Sequence, residues 1–251
     1  MKNEVLSYET DGLAMRSQFY ADEAKSGARP GILVFPEIFG LSDHATKQAE
    51  RLASLGFAAL ACDLHGEGRL LAGLEEAREV MAPLRDNPQR IRDRARASLD
   101  ALAARPEVDA SRLAAIGYCF GGSIALELAR SGADIVAAVG FHSGLATASP
   151  QDARNIRGKV LVCIGADDPG IPPEQRSAFE QEMREAGVDW QLHLYGGVVH
   201  SFTNPGADAM GRPEFARYDA NADHRSWAAM MLLFDQVFGG AGRQALPSSP
   251  R

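Results

Sequence analysis

Apolar positions along the chain switch between two periods, and the switching predicts an architecture. Val5 to Tyr8 and Leu13 to Tyr20 alternate apolar and polar residues, the pattern of half-buried strands, and read as an N-terminal hairpin-like pair. Short apolar runs follow at Gly31 to Phe35, Phe57 to Cys62, Leu113 to Ile116, Ile135 to Phe141 and Val160 to Ile164, each fit for a buried strand. Trp190 to Tyr195 alternates again and reads as the last strand. Between these runs the period lengthens to that of helices. One helix is capped near Ser42 and stopped at Gly56; another starts at Asn87 with Pro88 at its first position and carries Ile91, Ala95, Leu99 and Leu102 on one face. A third carries Ile124, Ala125 and Leu128 and stops at Gly132, and a last one, with Trp227, Met231, Phe234 and Phe238, closes at Gly239.

Repeated strand-helix alternation implies an α/β fold: a mostly parallel sheet with helices on both faces, in one domain over residues 1–238. Residues 239–251 (GGAGRQALPSSPR) have little apolar content and are expected to form a loose, flexible tail. In such sheets functional groups gather beyond the carboxyl ends of the strands.

Charge and cysteine content narrow the partners. A formal net charge of −7 over 251 residues argues against nucleic acid and anionic membrane, both of which need clustered positive charge. Three cysteines, two of them (Cys62 and Cys163) inside apolar strand-like runs, argue against disulfides and fit a reducing cytoplasm. Met1-Lys2-Asn3-Glu4 leads into an alternating segment rather than an apolar signal core, and no run is long enough to span a membrane, so a cytoplasmic protein is expected.

The chemistry centres on Gly117-Tyr118-Cys119-Phe120-Gly121, a G-x-nucleophile-x-G pentapeptide between an apolar strand and a helix. Glycines flank the central residue because a sharp turn brings neighbouring backbone close to it, and the turn projects the Cys119 thiol above the sheet. A buried cysteine ending a core strand is the bland alternative, which the flanking glycines and a third at Gly122 argue against. A thiol needs a base, and the base an orienting acid. Of six histidines, His200 follows the last strand across Gly196-Gly197 and can reach back over the sheet; His44, His193 and His224 read as solvated or core residues. The acid is expected after the strand ending at Ile164, where Asp167 and Asp168 both stand. Backbone N–H groups of Phe120, directly after the nucleophile, and of Ile38, beyond the strand ending at Phe35, are the expected oxyanion donors. Glu37 beside Ile38 is unusual in an apolar loop.

Together these residues resemble the dienelactone hydrolase family, cysteine-dependent members of the α/β-hydrolase fold. The resemblance is carried by Pro36-Glu37-Ile38-Phe39-Gly40, Gly117 to Gly122, Gly165-Ala166-Asp167-Asp168 with Ile171-Pro172, and His200-Ser201-Phe202, in that order along nearly the whole chain. It implies that Asp168, at a fixed offset before the hydrophobic-Pro pair, is the orienting acid. It also implies that Glu37 pairs with the resting thiol and takes its proton when substrate displaces it. Two positions depart from the pattern. Asn204 stands where the family places a carboxylate-binding arginine four residues after the histidine, and His65 stands where tyrosine often follows Asp-Leu. An amide cannot replace a guanidinium fork, and none of Arg69, Arg78, Arg85 or Arg90 aligns to the family's other arginine, so an uncharged substrate is favoured.

The expected activity is hydrolysis of a small-molecule lactone or activated ester, with His65, His142 and Asn204 as candidate substrate-binding residues. Neutral aryl esters or phosphotriesters are a second enzymatic reading, since an oxyanion hole can also hold a phosphoryl oxygen. A noncatalytic binding protein would usually have lost a triad member, and a thiol redox sensor would want a nearby resolving cysteine. Neither a metal-ligand motif nor a nucleotide-binding loop is present, so no metal and no cofactor are expected. Oligomeric state is left open, a homodimer included.

Overall fold

The structure is a computed structural model and describes residues 1–239. The tail expected from Gly239 onward therefore lies, apart from that glycine, outside the described residues. Chain order runs β1 (Lys2–Thr10), β2 (Leu13–Ala21), β3 (Arg29–Phe35), α1 (Asp43–Ser54), β4 (Ala58–Ala61), α2 (Leu74–Asp86), α3 (Pro88–Ala103), β5 (Val108–Tyr118), α4 (Phe120–Arg130), β6 (Ala137–Phe141), β7 (Lys159–Gly165), α5 (Pro173–Ala186), β8 (Trp190–Tyr195) and α6 (Ala220–Phe238), with 3-10 turns at Pro150–Asn155 and Pro205–Met210.

All eight strands join one sheet in the order β1-β2-β4-β3-β5-β6-β7-β8. The N-terminal pair is a true hairpin: Thr10 faces Leu13 across Asp11-Gly12, both at positive φ (53° and 71°), as a two-residue turn demands. β2 also runs antiparallel to β4; from β4 through β8 every neighbouring pair is parallel. This is the α/β-hydrolase arrangement.

The parallel strands are buried on both sides, and their alternation sorts side chains between two helical layers. From β3, Ile32 and Val34 join the layer that contains α1 and α6, whereas Leu33 and Phe35 join that of α2, α3 and α4. β7 does the same further along, with Leu161 and Cys163 on the first side and Val160, Val162 and Ile164 against Phe179 and Met183 of α5 on the other. Cys62 and Cys163 are core residues, as their apolar surroundings predict.

Differences from the sequence reading are local. Two helices were not anticipated: α2, whose buried Ala77, Met81 and Leu84 are diluted by charges and interrupted by Pro83, and α5, whose buried stripe is only Phe179, Glu182 and Met183. Ser42 occupies the N-cap position of α1, but its hydroxyl makes no cap hydrogen bond. Asn87 does cap α3, its side chain accepting from the Gln89 N–H at 3.2 Å. β5 begins at Val108, five residues before its apolar run, because its first residues pair with Arg29 and Pro30 before the register shifts.

Candidate active site

The turn between β5 and α4 holds Cys119 at φ 55° and ψ −121°, a conformation that costs a non-glycine residue about 1–3 kcal/mol. Its neighbours must be glycine for a steric reason. A Cβ on Gly117 would stand 2.0 Å from the Gly121 carbonyl oxygen, and one on Gly121 would stand 2.2 Å from that of Phe35. The Cys119 N–H donates to the Phe141 carbonyl (2.9 Å) and to Nδ1 of His142 (3.2 Å), tying the elbow to the end of β6. Phe120 opens α4, where the first N–H groups of a helix lack intrahelical acceptors and carry the positive end of its dipole.

His200 follows β8 in a segment pinned on both sides: its N–H donates to Phe215 O (3.0 Å) and its carbonyl accepts from Arg217 N–H (3.1 Å). Nδ1 lies 2.7 Å from Asp168 Oδ2, and Asp168 Oδ1 accepts from the Gly170 N–H at 2.8 Å. The Asp168 carboxylate is buried, whereas Asp167 is exposed. With Nδ1 committed to Asp168, His200 and Cys119 both line one cavity. Burial pushes the His200 imidazole pKa down. Interactions with Cys119 and Asp168 outweigh that effect and lift it to about 10.

Glu37 is buried beside the thiol's cavity, but its carboxylate is engaged elsewhere. Nδ2 of Asn204 lies 3.1 and 3.0 Å from its two oxygens, and Nδ1 of His44 faces it at 3.7 Å. Burial alone would raise its pKa; His44 and Asn204 more than compensate and hold it below the usual carboxylate value. The expected pairing of Glu37 with the resting thiol is thus not the arrangement this structure holds.

A cavity of about 490 Å³ opens over Cys119. Its walls are mainly apolar, with Ile38, Phe39, Leu74, Phe120, Ile171 and Phe215 among them, while Glu37, Cys119, His200 and Asn204 also reach it. Among the described residues no lysine or arginine lines it. Arg69 and Arg90, considered above as anion binders, are instead paired with Glu76 and Asp11.

Two of the three candidate substrate-binding residues are corrected by their surroundings. His142 is wholly buried beneath the elbow, and His65 is buried with Nε2 donating to the Ile38 carbonyl at 2.9 Å. Neither lines the cavity. His65 fixes the peptide that follows Ile38, so it acts on the loop and not on a ligand. Asn204 does line the cavity, yet its amide nitrogen serves Glu37 and its Oδ1 accepts from the Gly206 N–H. His44, read from sequence as an unremarkable core or solvated histidine, proves to be the neighbour of Glu37, across the turn that leads into α1. Among the described residues no group of three or more His, Cys, Asp or Glu side chains could hold a metal ion.

Fold and site together define a hydrolase, and comparison with known proteins specifies which kind. The model of the dienelactone hydrolase family matches residues 18–238, and the chain belongs to that family. It is 51% identical to a solved structure named m3DLH (TM-score 0.91, covering 94% of this chain and 98% of that one). It is 47% identical to a dienelactone hydrolase-like promiscuous phosphotriesterase from metagenomic libraries (TM-score 0.90, covering 95% and 99%). Among curated relatives, a Salmonella typhimurium protein named "Putative carboxymethylenebutenolidase" is 27% identical over 252 residues, 95% of this chain and 88% of its own. The protein is accordingly an ester or lactone hydrolase with the dienelactone hydrolase fold.

Proposed function

We propose that Cys119 is the nucleophile of a hydrolase acting on uncharged lactones and activated carboxylic esters. The observation that carries this reading is the Asp168–His200 contact at 2.7 Å, with His200 and Cys119 lining the same cavity. Thiolate attack on the carbonyl forms a tetrahedral intermediate whose oxygen is held by the Phe120 and Ile38 N–H groups. His200, charged in the resting pair, gives its proton to the leaving alcohol, then takes one from the water that hydrolyses the thioester. Asp168 keeps the imidazole in the required tautomer. Glu37, turned to Asn204 and His44, is a fixed negative charge in the wall rather than the resting partner of the thiol.

The absence of lysine and arginine from the described lining, together with the Glu37 carboxylate, disfavours substrates carrying their own carboxylate. The same observation supports neutral aryl phosphotriesters as a second substrate class, as does the 47% identity to a phosphotriesterase. Turnover of a p-nitrophenyl ester, a neutral lactone and an aryl dialkyl phosphate by wild type, Cys119→Ala and His200→Ala tests both readings. Loss of all turnover in the two folded variants is expected. Wild-type kcat in Cys119→Ala would overturn the assignment, and no phosphate ester turnover by wild type would remove the second class alone.

A further inference from the structure

His142 contacts no ligand cavity, yet both of its ring nitrogens are used. Nδ1 accepts from the Cys119 N–H at 3.2 Å, so that nitrogen carries no proton and Nε2 must carry one. Nε2 then donates to Oγ1 of Thr203 at 2.9 Å. Thr203, three residues beyond His200, is buried, and its carbonyl accepts a second imidazole donor, Nε2 of His44, at 3.1 Å. His44 in turn faces Glu37. One threonine therefore joins the nucleophile elbow to the histidine loop through its hydroxyl, and to the Glu37 region through its carbonyl.

Other features suggest that this junction is more than packing. His142 holds φ at 40°, an unfavourable value for a residue with a side chain, which persists where surrounding contacts over-determine it. Its ring stands edge-on to that of His200 at 5.1 Å and to that of Phe202 at 5.2 Å, so it supports the base from below. Burial, followed by repulsion from His200 and His44, holds its pKa well below the ordinary histidine value, consistent with the neutral form its bonding requires.

We propose that His142 and Thr203 are positioning residues, a buried imidazole-hydroxyl brace that sets the placement of the Cys119 elbow relative to His200. The proposal rests on the assignment of Cys119 and His200 as the reacting pair. A displacement of about 1 Å between nucleophile and base can cost about a hundredfold in rate, so one hydrogen bond at this point has leverage on kcat.

Thr203→Val tests it, because valine keeps the shape and the carbonyl that receives His44 while removing the hydroxyl. Two readouts are taken: kcat and KM on a p-nitrophenyl ester, and the pH dependence of Cys119 alkylation by iodoacetamide, which reports the thiol-imidazole pair without turnover. The expected result is a fall in kcat of about ten- to a hundredfold with KM little changed, and a displaced alkylation profile. Thr203→Ser should restore both. A kcat close to wild type in Thr203→Val would overturn the brace, as would an unchanged alkylation profile or a serine variant as impaired as the valine one. Should Thr203→Val not fold, His142→Phe, which retains a ring but neither nitrogen, is judged by the same two measurements. Failure of the underlying assignment shows up separately, as ester turnover that survives Cys119→Ala.

Discussion

Asn204 lies against Glu37 with its amide nitrogen 3.1 and 3.0 Å from the two carboxylate oxygens. The position that could have offered a cation to a substrate instead solvates an internal anion. The cavity wall consequently carries a carboxylate and, among its described lining residues, no lysine or arginine.

That arrangement predicts a selectivity for substrate charge. Wild type is expected to turn over a neutral methyl ester of a lactone-carboxylic acid with higher kcat/KM than the free acid. Glu37→Gln should narrow the ratio by about tenfold, the scale of a charge interaction across several ångströms in a protein interior. Paired kcat/KM values on the two substrates check it. Preference for the free acid in wild type would contradict the charge argument.

His200 supplies a pH signature. In the resting enzyme its pKa is lifted to about 10, so the ring should remain charged through the neutral range, as followed by its NMR chemical shift. Cys119→Ala removes one of the groups that raise it, and the titration should move downward, toward the ordinary histidine value of about 6.5. The stability contributed by the raised pKa has a fixed sign. It is complete below the ordinary value and is lost as pH climbs through about 10, so the advantage of wild type over Cys119→Ala should shrink across that window.

Strain at the elbow predicts opposite effects on stability and activity. Cys119→Gly removes the side chain from a residue at φ 55°, and urea unfolding should show a gain of about 1 kcal/mol with all turnover lost. Gly121→Ala should do the reverse to stability. Its added methyl meets the Phe35 and Pro36 carbonyl oxygens at 2.2 and 2.4 Å, neither of which is a movable side-chain end, and a loss of about 3 kcal/mol or more is expected.

Much of this protein was legible in the chain because the signals were local. The two-residue Asp11-Gly12 turn, the buried runs of β3, β6 and β7 and the glycine-flanked Cys119 each depend on residues within a few positions of one another. The placement of His200 and of the Asp167-Asp168 pair could be anticipated because both lie just past strand ends, where a parallel sheet gathers its loops, whereas the choice of Asp168 came from the family resemblance. Helix α2 was hidden because its apolar stripe is thin and contains Pro83, although it brings Leu74 to the cavity wall.

Tertiary structure alone decided what each polar group faces. Glu37 and Asn204 are separated by 167 positions, His44 and Thr203 by 159, and His142 and Thr203 by 61. No periodicity in the chain encodes those pairings. They arise because loops from separate strand ends are packed into one volume from which water is excluded, and each buried polar group there must then find whichever partner the packing brings near. That requirement turned Asn204 toward Glu37, and drew His65 and His142 away from any ligand to hold the loops that carry the chemistry.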